Sequence, residues 1–336
     1  MVQRFGALDM MRTMVGVLRE VSLEDIREQA NLAPRFLVVG PSAEQARALG
    51  LEITGPEGQF ATIARGALEP VDAVGRLDAA VIWDPERTGV GSRVAEALRF
   101  ESPPVPIVRF EGSGTHDLAA IDGVRSELVK RSPERATGLG RALPAFRPAA
   151  SKQIIDETSA ANAQFSLVSN IPALIPVIGS IAAAGADFIV LTKNQVMMIY
   201  KLAAVYGRDM ENQRGILQEV LPVIGAGLVW RTIAREAAAL LPFAAGAIPK
   251  LAIAYIGTMV VGRAAEFYYR TGIKPSRDQM EQYYRQALDL MRDLDLPGVR
   301  RFIKPRSSSS EPGAPPRLTV VGEESRPPRE FGSGGN

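Results

Sequence analysis

Apolar positions fall into two regimes along this chain. From residue 35 to about 131 they come as short runs set between helical stretches. Beyond residue 150 they come as long helical blocks. The short runs RFLVVG (35–40), LDAAVIWDP (77–85) and VPIVRF (105–110) are almost continuously apolar, the pattern of strands buried on both faces. Between and after them, SAEQARALG (42–50), SRVAEALRF (92–100) and HDLAAIDGVRSELVKR (116–131) carry apolar residues at helical spacing, with Ser42 as an N-cap and Gly50 as a stop. LEITG (51–55) reads as a further short strand. The alternation predicts a small parallel sheet with helices over its faces.

An arm precedes the sheet. Met10, Met11, Met14, Val17, Leu18 and Val21 recur at helical spacing. LEDIREQA (23–30) follows as a short helix with Ser22 as its cap and acids in its first turn, and Pro34 closes the arm. Beyond a linker rich in Arg, Pro and Gly (132–150), helices are predicted over 151–168, 173–206, 212–235, 237–271 and 276–295. The last has a capping box of Ser276 and Gln279, and an apolar face of Met280, Tyr283, Tyr284, Ala287, Leu288 and Met291. Residues 305–336 have the composition of a disordered tail. The expected division is an arm (1–31), an α/β domain (32–140), a hydrophobic helical domain (141–303) and a tail (304–336). The fold class is thus α/β plus all-α, with a Rossmann-like sheet domain ahead of the helices.

Two of the helical blocks raise the question of a bilayer. Residues 158–186 carry no charge, and residues 237–262 carry only Lys250. Each exceeds the ~20 apolar residues that a spanning helix needs. Pro172, Pro176, Pro242 and Pro249 interrupt them, and the basic residues scattered over 193–236 leave no clear translocated loop. The expectation is a membrane-associated protein of the cytoplasmic membrane. A re-entrant or interfacial helical hairpin would hold the N-terminal domain and the tail in the cytoplasm. The alternative is a bundle whose apolar helices fill a core. Asp187 would need a partner, a polar cavity or a place near a helix end. Lys193, Asn194 and Gln195 follow a helix-like run and suit helix–helix hydrogen bonding or an interfacial cap. Lys250 could reach water only near an interface. Phe267, Tyr268 and Tyr269 beside Arg270 fit an interfacial aromatic belt or a core cluster equally.

Charge narrows the partners. The 336 residues hold 39 Lys and Arg against 37 Asp and Glu, a net charge of +2, which asks for no nucleic-acid partner. There is no cysteine, so thiol nucleophiles and Cys-rich zinc sites are excluded. The single histidine, His116, rules out a multi-His metal site. The opening MVQRFGALDMMRTMVGVLREVS carries Asp9 and lacks a continuous apolar core, so it is a poor secretory signal.

A Gly-ended strand before a helix invites a phosphate loop, and the residues answer against it. Where such a loop requires its second Gly, its Lys and its Ser or Thr, this chain has Gln45, Ala46 and Arg47. Only Gly40, Pro41 and Ser42 could shape an anion-binding turn. Asp84 ends the second run, but Arg87 stands where a switch motif wants Gly, and no guanine-reading Asn-Lys-x-Asp follows the third. Gly40, Ser42 and Asp84 are therefore weak ligand candidates. No cofactor, metal, catalytic group or small-molecule substrate is indicated.

The strings ADFIVLTKNQVMMIYKLAAVYG (186–207), LPAFRPAASKQIIDETSAANAQFSLVSNIPALIPVIG (143–179) and AIAYIGTMVVGRAAEFYYRTG (252–272) together resemble the YcjF-like domain-of-unknown-function family 697. The resemblance covers roughly residues 143–272. In many bacterial proteins that helical domain follows an Era-like GTPase domain, intact or degenerate, and its members are generally regarded as membrane-associated. The resemblance implies a GTPase-like sheet that has lost its nucleotide motifs. The function expected is a non-catalytic membrane-associated scaffold or regulator, assembling with itself or with a separate NTPase. The alternatives are a divergent GTP- or ATP-binding protein with an aberrant phosphate loop, and a soluble oligomeric regulator.

Overall fold

The computed structural model describes residues 23–31, 33–71, 75–168, 180–212, 215–216, 218–219 and 247–293. Side chains at 167–168, 180–189, 247–250 and 291–293 are outside that description. The expected helices over 8–21 and most of 212–235 lie outside the described residues, as do the cap Ser22 and the tail.

A short helix α1 (Glu24–Ala30) leads into a sheet of four strands: β1 (Phe36–Gly40), β2 (Thr62–Gly66), β3 (Ala79–Ile82) and β4 (Ile107–Arg109). Their spatial order is β2-β1-β3-β4 and every pair is parallel. Phe36 pairs with both Thr62 and Ala79, and Val81 pairs with Val108. Helices α2 (Ala43–Thr54), α3 (Val90–Ala97) and α4 (Leu118–Arg131) accompany the strands. Strand alternation sends Phe36 and Val38 to one face and Leu37 and Val39 to the other. The first face packs on Ala46, Leu49 and Ile53 of α2 and on Ile121, Val124 and Leu128 of α4. The second packs on Val90 and Val94 of α3.

The stretch 51–55 is helix, not strand. Gly50 does not stop α2, because its missing Cβ is needed where the helix crosses β2: a Cβ there would lie 2.4 Å from Thr62 Cγ2. The helix instead runs on to Thr54 and closes at Gly55 (φ +77). The strand that the sequence reading lacked is β2. Its residues are only half-buried except for Gly66, so TIARG shows no strong apolar run.

The stretch read as a linker is also structured. It forms a 3-10 turn (Pro133–Arg135), α5 (Ala136–Ala142) and a second 3-10 turn (Pro144–Phe146). Leu139, Leu143 and Phe146 are buried, and the Phe146 ring stacks on Phe36 of β1 at 5.8 Å. Asp78, at the base of β3, accepts from the Arg35 backbone N–H at 2.7 Å and forms an ion pair with Arg135. Both side chains are largely buried. Sheet and helices are thus joined by packed side chains and a shielded ion pair.

The helical part contains α6 (Arg147–Val168), α7 (Ser180–Val205), α8 (Ala247–Thr271) and α9 (Arg277–Asp293). Helix α6 lies against α7 and α8, and α8 also carries α9. The α9 capping box forms reciprocally: Gln279 N–H donates to Ser276 Oγ at 3.2 Å, and Ser276 N–H donates to Gln279 Oε1 at 2.8 Å. The far end of α7 is held by cations, as its dipole favours. Arg141 donates to the carbonyls of Ala204 and Arg208, and Arg27 to that of Met210.

The expectation of a transmembrane or membrane-inserted helix, and with it a cytoplasmic-membrane location, is corrected here. Among the described residues no helix is long and apolar enough to cross a membrane. The physical reason lies in what the helices bury. Val196, Met198, Ile199, Leu202 and Ala203 of α7, with Leu251, Tyr255, Met259 and Val260 of α8, belong to the same core cluster as Phe36 and Val38 of the sheet. The buried side of α6 mixes Ile154, Ile155 and Ala163 with the small polar residues Ser151, Ser159, Asn162 and Ser166. Their apolar neighbours are matched to other protein surfaces. Residues 169–179 and 237–246 of the two long apolar blocks lie outside the described residues.

Candidate functional site

The C-terminal ends of β1 and β3 lie side by side, since Trp83 N–H donates to Val39 O at 2.8 Å. Connections leave these two strands in opposite directions across the sheet, which is where parallel α/β folds hold ligands. The structure brings the sequence candidates Gly40, Ser42 and Asp84 to this edge, and each is occupied by local structure.

Gly40 allows α2 to sit close on the strand end. A Cβ there would fall 3.2 Å from Ala46 N and 3.3 Å from its Cα. Ser42 caps α2, its Oγ accepting from Gln45 N–H at 3.2 Å. One of the first-turn donors that an anion could use is therefore already satisfied from within the chain.

Asp84 closes the loop before α3. Its Oδ1 accepts from Thr88 N–H at 2.8 Å and lies 3.0 Å from Thr88 Oγ1. Its Oδ2 accepts from Gly89 N–H at 3.0 Å and Val90 N–H at 3.2 Å. Partial burial raises the carboxyl pKa, but the bonds from Thr88, Gly89 and Val90 outweigh it and hold the group below the usual carboxylate range. Arg87 adopts a left-handed backbone (φ 54) inside this turn and points its side chain to solvent. The turn is a closed ring around one carboxylate.

His116 stands at the start of α4 with its side chain 80% exposed, its Nδ1 2.9 Å from Glu52 Oε1. Asp117, not His116, caps that helix by accepting from Ala120 N–H at 3.1 Å. Among the described residues no group of three or more His, Asp or Glu could hold a metal ion.

The polar residues of the long helices separate into distinct settings. Asn162 is fully buried on α6. Its Nδ2 donates to Thr258 Oγ1 of α8 at 2.9 Å, and its Oδ1 accepts from Asn194 Nδ2 of α7 at 2.8 Å. Gln195 Nε2 donates to the same Thr258 Oγ1 at 3.0 Å. Asn194 and Gln195 therefore join α7 to its neighbours by hydrogen bonds. Lys193 points to solvent. Asp187 and Lys250 stand in α7 and α8, and their side chains are outside the described set. Asn162 and Thr258 were missed in the sequence reading. Their signal was an uncharged polar side chain inside each apolar block.

Tyr269 is buried, stacked on Tyr206 at 6.5 Å and edge-on to Tyr268 at 5.8 Å, with the Arg208 guanidinium 5.8 Å above its ring. Burial pushes its phenol well above the ordinary tyrosine value. Tyr200 and Tyr255 are each pushed up to about 12 by burial. These aromatics form part of the core.

The structure also shows an open groove of about 420 Å³ between β4 and α4, lined by Ile107, Arg109, Glu111, Gly123, Glu127 and Arg131 among others. No family model, curated protein or solved structure matches the chain.

Proposed function

We propose that this chain is a non-catalytic scaffold or regulatory protein that works through protein–protein contacts. One observation carries the reading: of the strand-end turns where a parallel α/β sheet would hold phosphate, the one at Asp84 is closed on itself and the one at Ser42 has its capping hydroxyl taken and no lysine. Asp84 spends its carboxylate on Thr88, Gly89 and Val90. Ser42 spends its hydroxyl on Gln45, and neither turn contains a lysine. A loop that grips a triphosphate needs free backbone donors and a Lys. In this reading the sheet is a Rossmann-like, GTPase-like layer kept as a platform after its ligand chemistry was lost. The resemblance to the family-697 arrangement belongs to the same proposal.

Contact surface supports the reading. The edge strand β2 is flanked by Phe60 and Leu68, exposed at 89% and 91%. Large exposed apolar residues beside an open sheet edge are features of a protein-binding surface. The partner classes proposed are a second copy of this chain and a separate NTPase.

Calorimetric titration with GTP and with ATP, each with magnesium, tests the proposal. The expected result is no saturable heat. Binding tighter than about 10 μM, some −7 kcal/mol, would overturn it.

A further inference from the structure

We draw no further inference here: the strongest candidate, the free edge of β2 between the exposed Phe60 and Leu68, belongs to the contact surface already described, and nothing in the structure shows what covers it.

Discussion

Asp84 looked like a ligand residue in sequence because it ends a buried strand beside a Gly-ended one. In the fold it does a helix cap's work for α3, taking the N–H groups of Gly89 and Val90 as well as that of Thr88. Asp84→Ala should therefore cost about 1 kcal/mol of stability, the usual loss for a cap, measured by urea unfolding near pH 7. The pH dependence has a definite sign. The folded carboxyl sits below its unfolded value, so its contribution is present above about pH 4 and is lost as pH falls through the folded pKa. The difference between wild type and Asp84→Ala should shrink in acid. A gap that widened there would show that the hydrogen-bond ring is not what stabilises this turn. Thr258 makes a second case, since its hydroxyl serves both Asn162 and Gln195. Thr258→Val keeps the shape and strands two buried amide donors, at a cost of roughly 1–3 kcal/mol by the same measurement. A neutral result would show that the two amides find other partners. Neither role was legible beforehand. A carboxylate bonded to residues four to six ahead leaves the same sequence trace as one awaiting a ligand. A single Asn in an apolar block does not name its partners on other helices.

Strands β1, β3 and β4 and the helices α3, α4 and α9 stood out in the sequence because their signals are local: continuous apolar runs, caps and helical spacing. Strand β2 and the true end of α2 did not, because both depend on one tertiary contact, the approach of Gly50 to Thr62. The same kind of contact sets the crossing of α6 and α8. A Cβ at Gly262 would lie 2.8 Å from Ile155 Cγ1 and 3.0 Å from Met198 Sδ. Ile155 is β-branched and fully buried, so it has little room to move aside. Gly262→Ala gains helix propensity of up to ~1 kcal/mol, but forcing the crossing apart costs about 1–3 kcal/mol. The net should be destabilising. Gly123→Ala, on the helix beside open space, should show the propensity gain alone. Thermal midpoints of the two variants should move in opposite directions, and a shared direction would mean that helix packing does not explain Gly262.

At the scale of the whole molecule, the long apolar blocks were ambiguous because lipid and a protein core ask for the same side chains. Only the partners decide, and the described partners of α7 and α8 are other helices and, through α5 and Phe146, the sheet. The buried core runs without a break from Ile26 and Phe36 through Phe146 to Val196 and Met259. The Asp78–Arg135 pair fastens the base of β3 to the turn that starts the helical part. Two layers bound in this way should unfold as one unit. Trp83 is buried in the sheet and sits edge-on to Phe110, so its fluorescence reports on that layer. The chain has one other tryptophan, Trp230, which Trp230→Phe removes. In that variant, Trp83 fluorescence and far-ultraviolet circular dichroism should give the same urea midpoint, although the second signal comes mainly from the helices. Asp78→Ala leaves Arg135 buried without its partner, a loss of roughly 3–5 kcal/mol. It should lower both midpoints together. If fluorescence moved and circular dichroism did not, the sheet and the helices would be separate folding units, and the shared core would be contact without coupling.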